Sequence, residues 1–361
     1  MTAEKQVFAQ YLMECGGFLM DYKEVLETAR KVLAAKCRVC PVCDGRACRG
    51  EVPGVGGKGT GATFVRNVAA LAEVKLVLDT LYADRGQDTS CEFFGRTFAM
   101  PVFAAPIGGM KLNYASDLGE GANGERVVKG AHAAGSAAFT GDSPDEAFYG
   151  PLEAIKALNG WGVPTIKPWA MKQALTRMAD AVAAGAMAVA MDVDAAGLVN
   201  VKLRGESVYP KSVADLRALV EAAGKTPFIV KGIMSVKGAL KALEAGCYGI
   251  VVSNHGGRVL DHGQSTVEVL PEIAQAVNGR MKVFVDGGVR SGVDVFKMLA
   301  LGADAVLIGR PVTVSAFGGG AEGVEIYLRK IQSELAGTML MTGAATLAEI
   351  GRDMVRVPAY F

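Results

Sequence analysis

The sequence predicts an α/β protein: a (βα)8 TIM barrel over residues 96–361, with closing C-terminal helices, behind an N-terminal helical and Cys/Gly-rich extension over residues 1–95. Three observations predict it. From residue 100 onward a unit recurs, in which a polar helical stretch ends in Ala-Gly or Leu-Gly and a short β-branched run follows. The runs are apolar without alternation, the pattern of parallel strands buried on both faces, which require helical crossovers. Eight such runs are present, the number that closes this kind of barrel.

In order they are Met100–Ala105, Ser136–Thr140, Val163–Ile166, Met187–Met191, Pro227–Val230, Tyr248–Val252, Met281–Val285 and Ala305–Ile308. The first follows an extension that lacks the rhythm. The second, fourth, sixth and eighth each come just after a glycine, at Gly135, Gly185, Gly246 and Gly302, suited to the left-handed position that ends a helix. The third, fifth and seventh fall between these units. Beyond the last, residues 316–361 read as a glycine-rich loop at Phe317-Gly-Gly-Gly-Ala321 followed by helical tails.

Composition removes several alternatives. The chain has 361 residues, 38 Lys plus Arg against 37 Asp plus Glu, and 50% hydrophobic content. That supports a large core and provides no basic surplus for a nucleic-acid partner. The longest charge-free stretches, Thr97–Met110 and Leu335–Ala348, fall short of the roughly 18 residues that span a bilayer, so no membrane partner is expected. The opening Met1-Thr-Ala-Glu-Lys5 lacks a signal-peptide pattern, and a cytoplasmic chain is expected. Glycine, at 46 residues, is in excess of the usual share of about 7%. Beside this much Val, Ile, Leu and Ala, the excess does not read as disorder.

Barrel enzymes work at the C-terminal ends of their strands, so polar residues there are the first functional candidates. The third run ends Lys167-Pro-Trp169, the fourth Asp192-Val-Asp194, the fifth Lys231-Gly232, the sixth Ser253-Asn-His255-Gly-Gly-Arg258, and the seventh Asp286. Side chains two apart share a face, so Lys167 with Trp169, Asp192 with Asp194, and Ser253 with His255 are expected to converge on one mouth. The alternative is a buried ionic network in which the two Asp neutralise Lys167 and Lys231. Clustering over consecutive strands favours function, since Val and Ile would serve stability better. A second signal follows the last two runs. Asp286-Gly287-Gly288-Val289-Arg290 opens one helix and Gly309-Arg310-Pro311 follows the eighth run, an arrangement suited to a phosphate.

At Ser253-Asn-His255-Gly-Gly-Arg258, with Asp286-Gly-Gly-Val-Arg290, Gly309-Arg310 and Lys231 at their spacings, the chain resembles the FMN-dependent 2-hydroxy acid dehydrogenases. That family includes glycolate oxidase, lactate oxidase and the flavin domain of flavocytochrome lactate dehydrogenases. The likeness is strong over residues 226–312, recognisable over 100–197 and weak before 95, and is closest to bacterial alpha-hydroxy-acid oxidizing proteins. It implies FMN as cofactor, a homo-oligomer, and a small 2-hydroxy acid as substrate, and it leaves the electron acceptor open. By position it implies His255 as the base, Asp194 as its orienting carboxylate, and Arg258 as the ligand of the substrate carboxylate. Lys231 would face the flavin's N1 and O2 edge, with Ser253 also in contact. Asp286, Gly287, Gly288 and Arg290 would line the ribityl chain and phosphate, Gly309 and Arg310 would close the phosphate site, and Ala105-Pro106 would lie against the ring. The chain departs from the family at Lys167, where Gln is usual, at Trp169 for Tyr and at Asp192 for Thr. Ala195-Ala-Gly-Leu198 lacks the family's arginine, and the N-terminal substrate tyrosine has no partner. Three substrate contacts are thus missing, and Lys167 beside the flavin's pyrimidine edge would favour the reduced anion.

Cys37, Cys40, Cys43 and Cys48 fall within twelve residues, in a segment that holds Pro41, Asp44 and Gly45. Four such thiols could ligate zinc or an iron–sulfur cluster, since C-x2-C-x2-C matches the ferredoxin run. Reduced thiols or a redox-active pair are the other readings. Gly54-Val-Gly-Gly-Lys-Gly-Thr-Gly61 lacks a Walker ending and is read as a lid over the mouth. His132 reads as a helix residue, and His262 lacks metal-ligand spacing. The leading function is oxidation of an L-2-hydroxy acid to the 2-oxo acid, with a proton passing to His255 and two electrons to the flavin. The alternatives are an FMN-dependent isomerase of the isopentenyl-diphosphate type and a non-enzymatic flavin- or phosphate-sensing module.

Overall fold

The computed structural model describes residues 20–115, 118–143, 145–203, 205 and 207–359; Cys15 and the first residues of the chain lie outside them. Eight parallel strands form the centre: β1 (Val102–Ala104), β2 (Phe139–Thr140), β3 (Val163–Ile166), β4 (Val189–Asp192), β5 (Phe228–Ile233), β6 (Gly249–Val252), β7 (Lys282–Val285) and β8 (Ala305–Ile308). Neighbours in sequence pair from β2 to β8, and β8 returns to β1. The ring closes where Ala104 bridges Ala138, its N–H donating to the Ala137 carbonyl at 3.0 Å. All eight predicted runs are strands.

Helices wrap the outside: α1 (Glu120–Ala133), α2 (Asp145–Ala157), α3 (Met171–Ala183), α4 (Val213–Ala223), α5 (Val236–Glu244), α6 (Thr266–Val277), α7 (Gly292–Ala300) and α8 (Arg310–Thr342). Gly135, Gly185, Gly246 and Gly302 follow α1, α3, α5 and α7 with φ of 70°, 73°, 84° and 103°, the left-handed region expected of them. His132 lies in α1.

Strand alternation divides the core in two. Phe103, Phe139, Ala190, Ile229, Val251, Phe284 and Leu307 fill the barrel, while Val102, Val189, Met191 and Val230 pack outward against the helices. A hairpin of Cys91–Phe93 and Arg96–Phe98 adds Phe93 and Phe98 to the interior cluster, beside Tyr248 and Lys282 at the starts of β6 and β7. Each fully buried aromatic contributes roughly 1.5–3 kcal/mol of transfer free energy, so the filled floor is a main source of stability.

The predicted loop at Phe317 is not a loop. Helix α8 runs through it and is only interrupted at Gly319 and Gly320. The glycines serve packing: a Cβ on Gly318 would lie 2.0 Å from the Val25 carbonyl oxygen, so their absence of side chains lets the helix Tyr22–Val32 lie directly on α8. Among the described residues, no helix is long and apolar enough to cross a membrane.

Candidate active site

Two residues past the inward side chains at the middle of the strands, on the same face, the strands turn charged or polar. Thr165 leads to Lys167, Ala190 to Asp192, Ile229 to Lys231, Val251 to Ser253 and Phe284 to Asp286. Across the ring, β1, β2 and β8 are followed by Ala105, Gly141 and Gly309, which line the open side of the cavity above the barrel. Lys167, Lys231, His255, Arg258 and Asp286 also line it, as do Pro106, Gly287, Gly288, Arg290 and Arg310. Asp192, Asp194 and Ser253 stand one layer behind, in contact with those residues.

The polar layer is a paired network. Lys231 Nζ donates to Ser253 Oγ at 2.8 Å and lies 3.3 Å from Asp286 Oδ2, and Ser253 Oγ donates to that same oxygen at 2.9 Å. Burial alone would discharge Lys231, but Asp286, Asp194 and Asp192 outweigh it and raise its pKa, so the ammonium stays charged. Asp192 pairs with Lys167. The anticipated ionic network therefore exists with different partners: Lys231 is neutralised chiefly by Asp286, leaving Asp194 for a histidine.

His255 stands in the left-handed region at φ 58°, followed by Gly256 and Gly257 at 63° and 79°. Its N–H is held by Ser253 Oγ at 3.1 Å, and its Nδ1 lies 3.0 Å from Asp194 Oδ1. Such a backbone costs a β-carbon-bearing residue about 1–3 kcal/mol, and here it swings the ring off the strand and onto the cavity. Burial lowers the His255 pKa and outweighs Asp194, so the imidazole is neutral. Asp194 is pulled the other way: burial opposes its charge, but His255 and Lys231 prevail and hold its carboxyl below the usual range. A neutral ring beside an ionised carboxylate donates through Nδ1, which leaves Nε2 able to accept a proton. Asp192, Asp194 and His255 also bring one ligand atom each within 4.8 Å, the sole such trio among the described residues, but Lys167 already supplies the cation there.

Three guanidinium groups line the same cavity. Arg258 donates to the carbonyls of Gly54 and Gly56 at 2.7 and 3.0 Å and to Asn113 Oδ1 at 2.9 Å. Arg310 donates to Val55, Gly56 and Gly256, and Arg290 to Val289 and Cys43. Removal from water and the charge of Arg310 bring the Arg258 pKa down to about 10. Burial also lowers Arg310, with Arg290 acting in the same direction. Buried cations that repel one another mark a place for an anion. Gly54 and Val55 of the Gly54–Gly61 segment line the cavity, and Lys58 ties that segment to the loop after β6 by donating to the Val259 carbonyl at 2.8 Å.

Trp169 does not reach the mouth. Its N–H closes a tight turn onto Lys167 O at 2.7 Å, which ends strand alternation, and its indole donates to Asp142 Oδ2 at 2.7 Å. Asp142 and Asn113 went unnoticed in the sequence. Asp142 accepts from the Lys167 N–H at 2.8 Å and pairs with Arg177, and burial still pushes its pKa up to about 6. Asn113 Oδ1 accepts from Arg258, Asn200 and the Gly54 N–H, locking lid to wall. For Asp142 the only sequence signal was a carboxylate two residues past β2, and Asn113, inside the short helix Met110–Tyr114, gave none.

A barrel with glycine turns and buried arginines after its last two strands, a buried ammonium and a histidine–carboxylate couple defines a class of enzyme site suited to a phosphorylated cofactor and a proton transfer beside it. Comparison with known proteins narrows it. The family model described as FMN-dependent dehydrogenase matches residues 55–215 and 202–357. A 4-hydroxymandelate oxidase of Amycolatopsis orientalis is 32% identical, over 85% of this chain and 95% of its own length. A peroxisomal (S)-2-hydroxyacid oxidase of Arabidopsis thaliana is 48% identical over 146 residues, a match spanning 40% of this chain and 39% of that enzyme. A mandelate oxidase crystallised with the C4a-OH-FMN adduct superposes with a TM-score of 0.75 at 29% identity, over 93% of this chain and 99% of that one. The chain belongs to the FMN-dependent dehydrogenase family.

FMN is the cofactor of that family, and the cavity fits it on its own terms. Asp286 Oδ1 is buried without a partner, ready to accept a hydrogen bond. Gly287 and Gly288 have φ of 97° and 86°, and a Cβ on Gly288 would lie 2.4 Å from the Asn67 carbonyl oxygen, so this phosphate-type turn admits only glycine.

Proposed function

We propose that the protein oxidises an L-2-hydroxy acid of the lactate or glycolate type to the 2-oxo acid, with His255 as the base. The observation that carries this reading is the His255–Asp194 pair at 3.0 Å, neutral on the ring and charged on the carboxylate, facing the same cavity as Arg258. FMN, when bound, supplies the acceptor for two electrons. Lys231, Lys167, Ala105 and Pro106 would hold its ring, with Ser253 and Asp192 fixing the two lysines from behind, and Asp286, Gly287, Gly288, Arg290, Gly309 and Arg310 would hold its ribityl and phosphate arm. Lys231, kept charged by Asp286, Asp194 and Asp192, would supply a fixed positive charge beside the ring. Arg258, its plane fixed by Gly54, Gly56 and Asn113, pairs with the substrate carboxylate. His255 Nε2 takes the proton, and Asp194 stabilises the imidazolium that results. Leu198 and Val201 give the mouth an apolar side for the rest of the substrate, where the family arginine is missing.

Anaerobic mixing of the FMN-loaded protein with L-lactate, glycolate or a longer L-2-hydroxy acid is expected to bleach the flavin, while D-enantiomers leave it yellow. If none of these acids bleaches it, the reading fails.

The pH dependence follows from the sign of the His255 shift. The base works unprotonated, and burial lowers its pKa from the ordinary value, so the bleaching rate should climb with a midpoint below about 6.5 and stay level through neutral pH. A climb centred above neutrality would contradict the neutral, buried base.

A further inference from the structure

The four clustered cysteines lie outside the reaction just described, yet the fold gathers them. Cys37, Cys40, Cys43 and Cys48 are free, half-buried, and all line one cavity of about 330 Å³. Charge interactions run between Cys37 and both Cys40 and Cys43, and between Cys48 and both Cys43 and Cys37.

The sulfurs are too far apart for one zinc ion. Zinc–sulfur bonds of about 2.3 Å place tetrahedral thiolates roughly 3.8 Å from one another. No three of the four sulfurs lie within 4.8 Å of each other. A polynuclear cluster gives each thiolate its own iron and spreads the sulfurs by an iron–iron edge, and the C-x2-C-x2-C spacing is that of four-iron ferredoxin sites. The surroundings suit an anion: four thiolates around such a core leave net negative charge, and Arg290, Arg310 and Lys330 line the same cavity.

We propose that Cys37, Cys40, Cys43 and Cys48 hold a [4Fe–4S] cluster. It would sit against the phosphate end of the flavin cavity, because Val55, Tyr114, Arg290 and Arg310 line both spaces. Arg290 joins them directly, its Nε donating to the Cys43 carbonyl at 2.9 Å while its side chain faces the flavin cavity. The site is independent of which hydroxy acid is oxidised.

The full-length protein, purified without oxygen and reconstituted with ferrous iron and sulfide, should carry about four iron and four acid-labile sulfides per chain, one thiolate to each iron. Its flavin content is measured in the same sample. Treatment with dithionite should produce the electron paramagnetic resonance of a reduced cluster. The double variant Cys40→Ser, Cys43→Ser should lose iron, sulfide and that signal while keeping FMN and a cooperative melt, which shows that the fold survives. Two iron and two sulfide per chain would overturn the nuclearity proposed. One zinc without sulfide, or no metal after reconstitution of a flavin-replete protein, would overturn the site. A double variant that retains the full iron and sulfide of the parent would overturn the ligand assignment.

Discussion

Replacing His255 with Gln should slow anaerobic bleaching of the bound flavin by L-lactate, or by whichever L-acid proves fastest, about 10²- to 10⁴-fold, the worth of a positioned base. The loss is one of chemistry rather than assembly. On the proposed assignment the phosphate end would be held by Arg290, Arg310 and the turns after β7 and β8, none of which the substitution alters. Glutamine can fill the space beside Asp194 and donate to it, but it has no site that takes a proton at neutral pH. FMN content and melting should therefore stay near those of the parent, with the decrease in the rapid-mixing rate at saturating substrate. A variant that bleaches within a few-fold of the parent would remove His255 from the role assigned to it.

Lys231→Met should produce the largest loss of stability, about 3–5 kcal/mol, because it deletes one member of a buried ionic network and strands the others. Asp286 keeps only the Ser253 hydroxyl at 2.9 Å, and Asp194 loses one of the two cations that keep it ionised. The sign of the pH effect is distinctive. Asp194 is held down partly by Lys231, so its removal lifts that carboxyl towards protonation, and the deficit should shrink as the solution is acidified. Urea titrations of parent and variant at two pH values measure both. A deficit below about 1 kcal/mol would mean that water already shares the load of these charges.

Much of this arrangement was visible in the sequence. The barrel was legible because the strands are mostly apolar and non-alternating and several helices end in a glycine, and neither feature depends on distant partners. The polar layer was legible for the same reason: Lys231, Ser253 and Asp286 each fall two residues past an inward apolar side chain. Asn113 was not, since its partners Gly54, Asn200 and Arg258 meet it only once lid, wall and mouth are assembled. Asp142 was hidden likewise, as its value lies in holding Lys167, Trp169 and Arg177 at once. Trp169 was misplaced because alternation was carried past the end of the strand. The glycines near Phe317 were taken for a turn, since nothing local reveals that a second helix rests on them.

The aromatic floor of the barrel has a consequence for traffic. Phe93, Phe98, Phe103, Phe139 and Phe284 pack ring against ring below the polar layer, several with centroids between 5.1 and 6.2 Å apart. The chamber is blind at that end. If the proposed reaction holds, the hydroxy acid and its oxo acid would enter and leave on the side of the C-terminal strand ends, past Gly54 and Val55, so a departing product would stand in the path of whatever next collects the electrons.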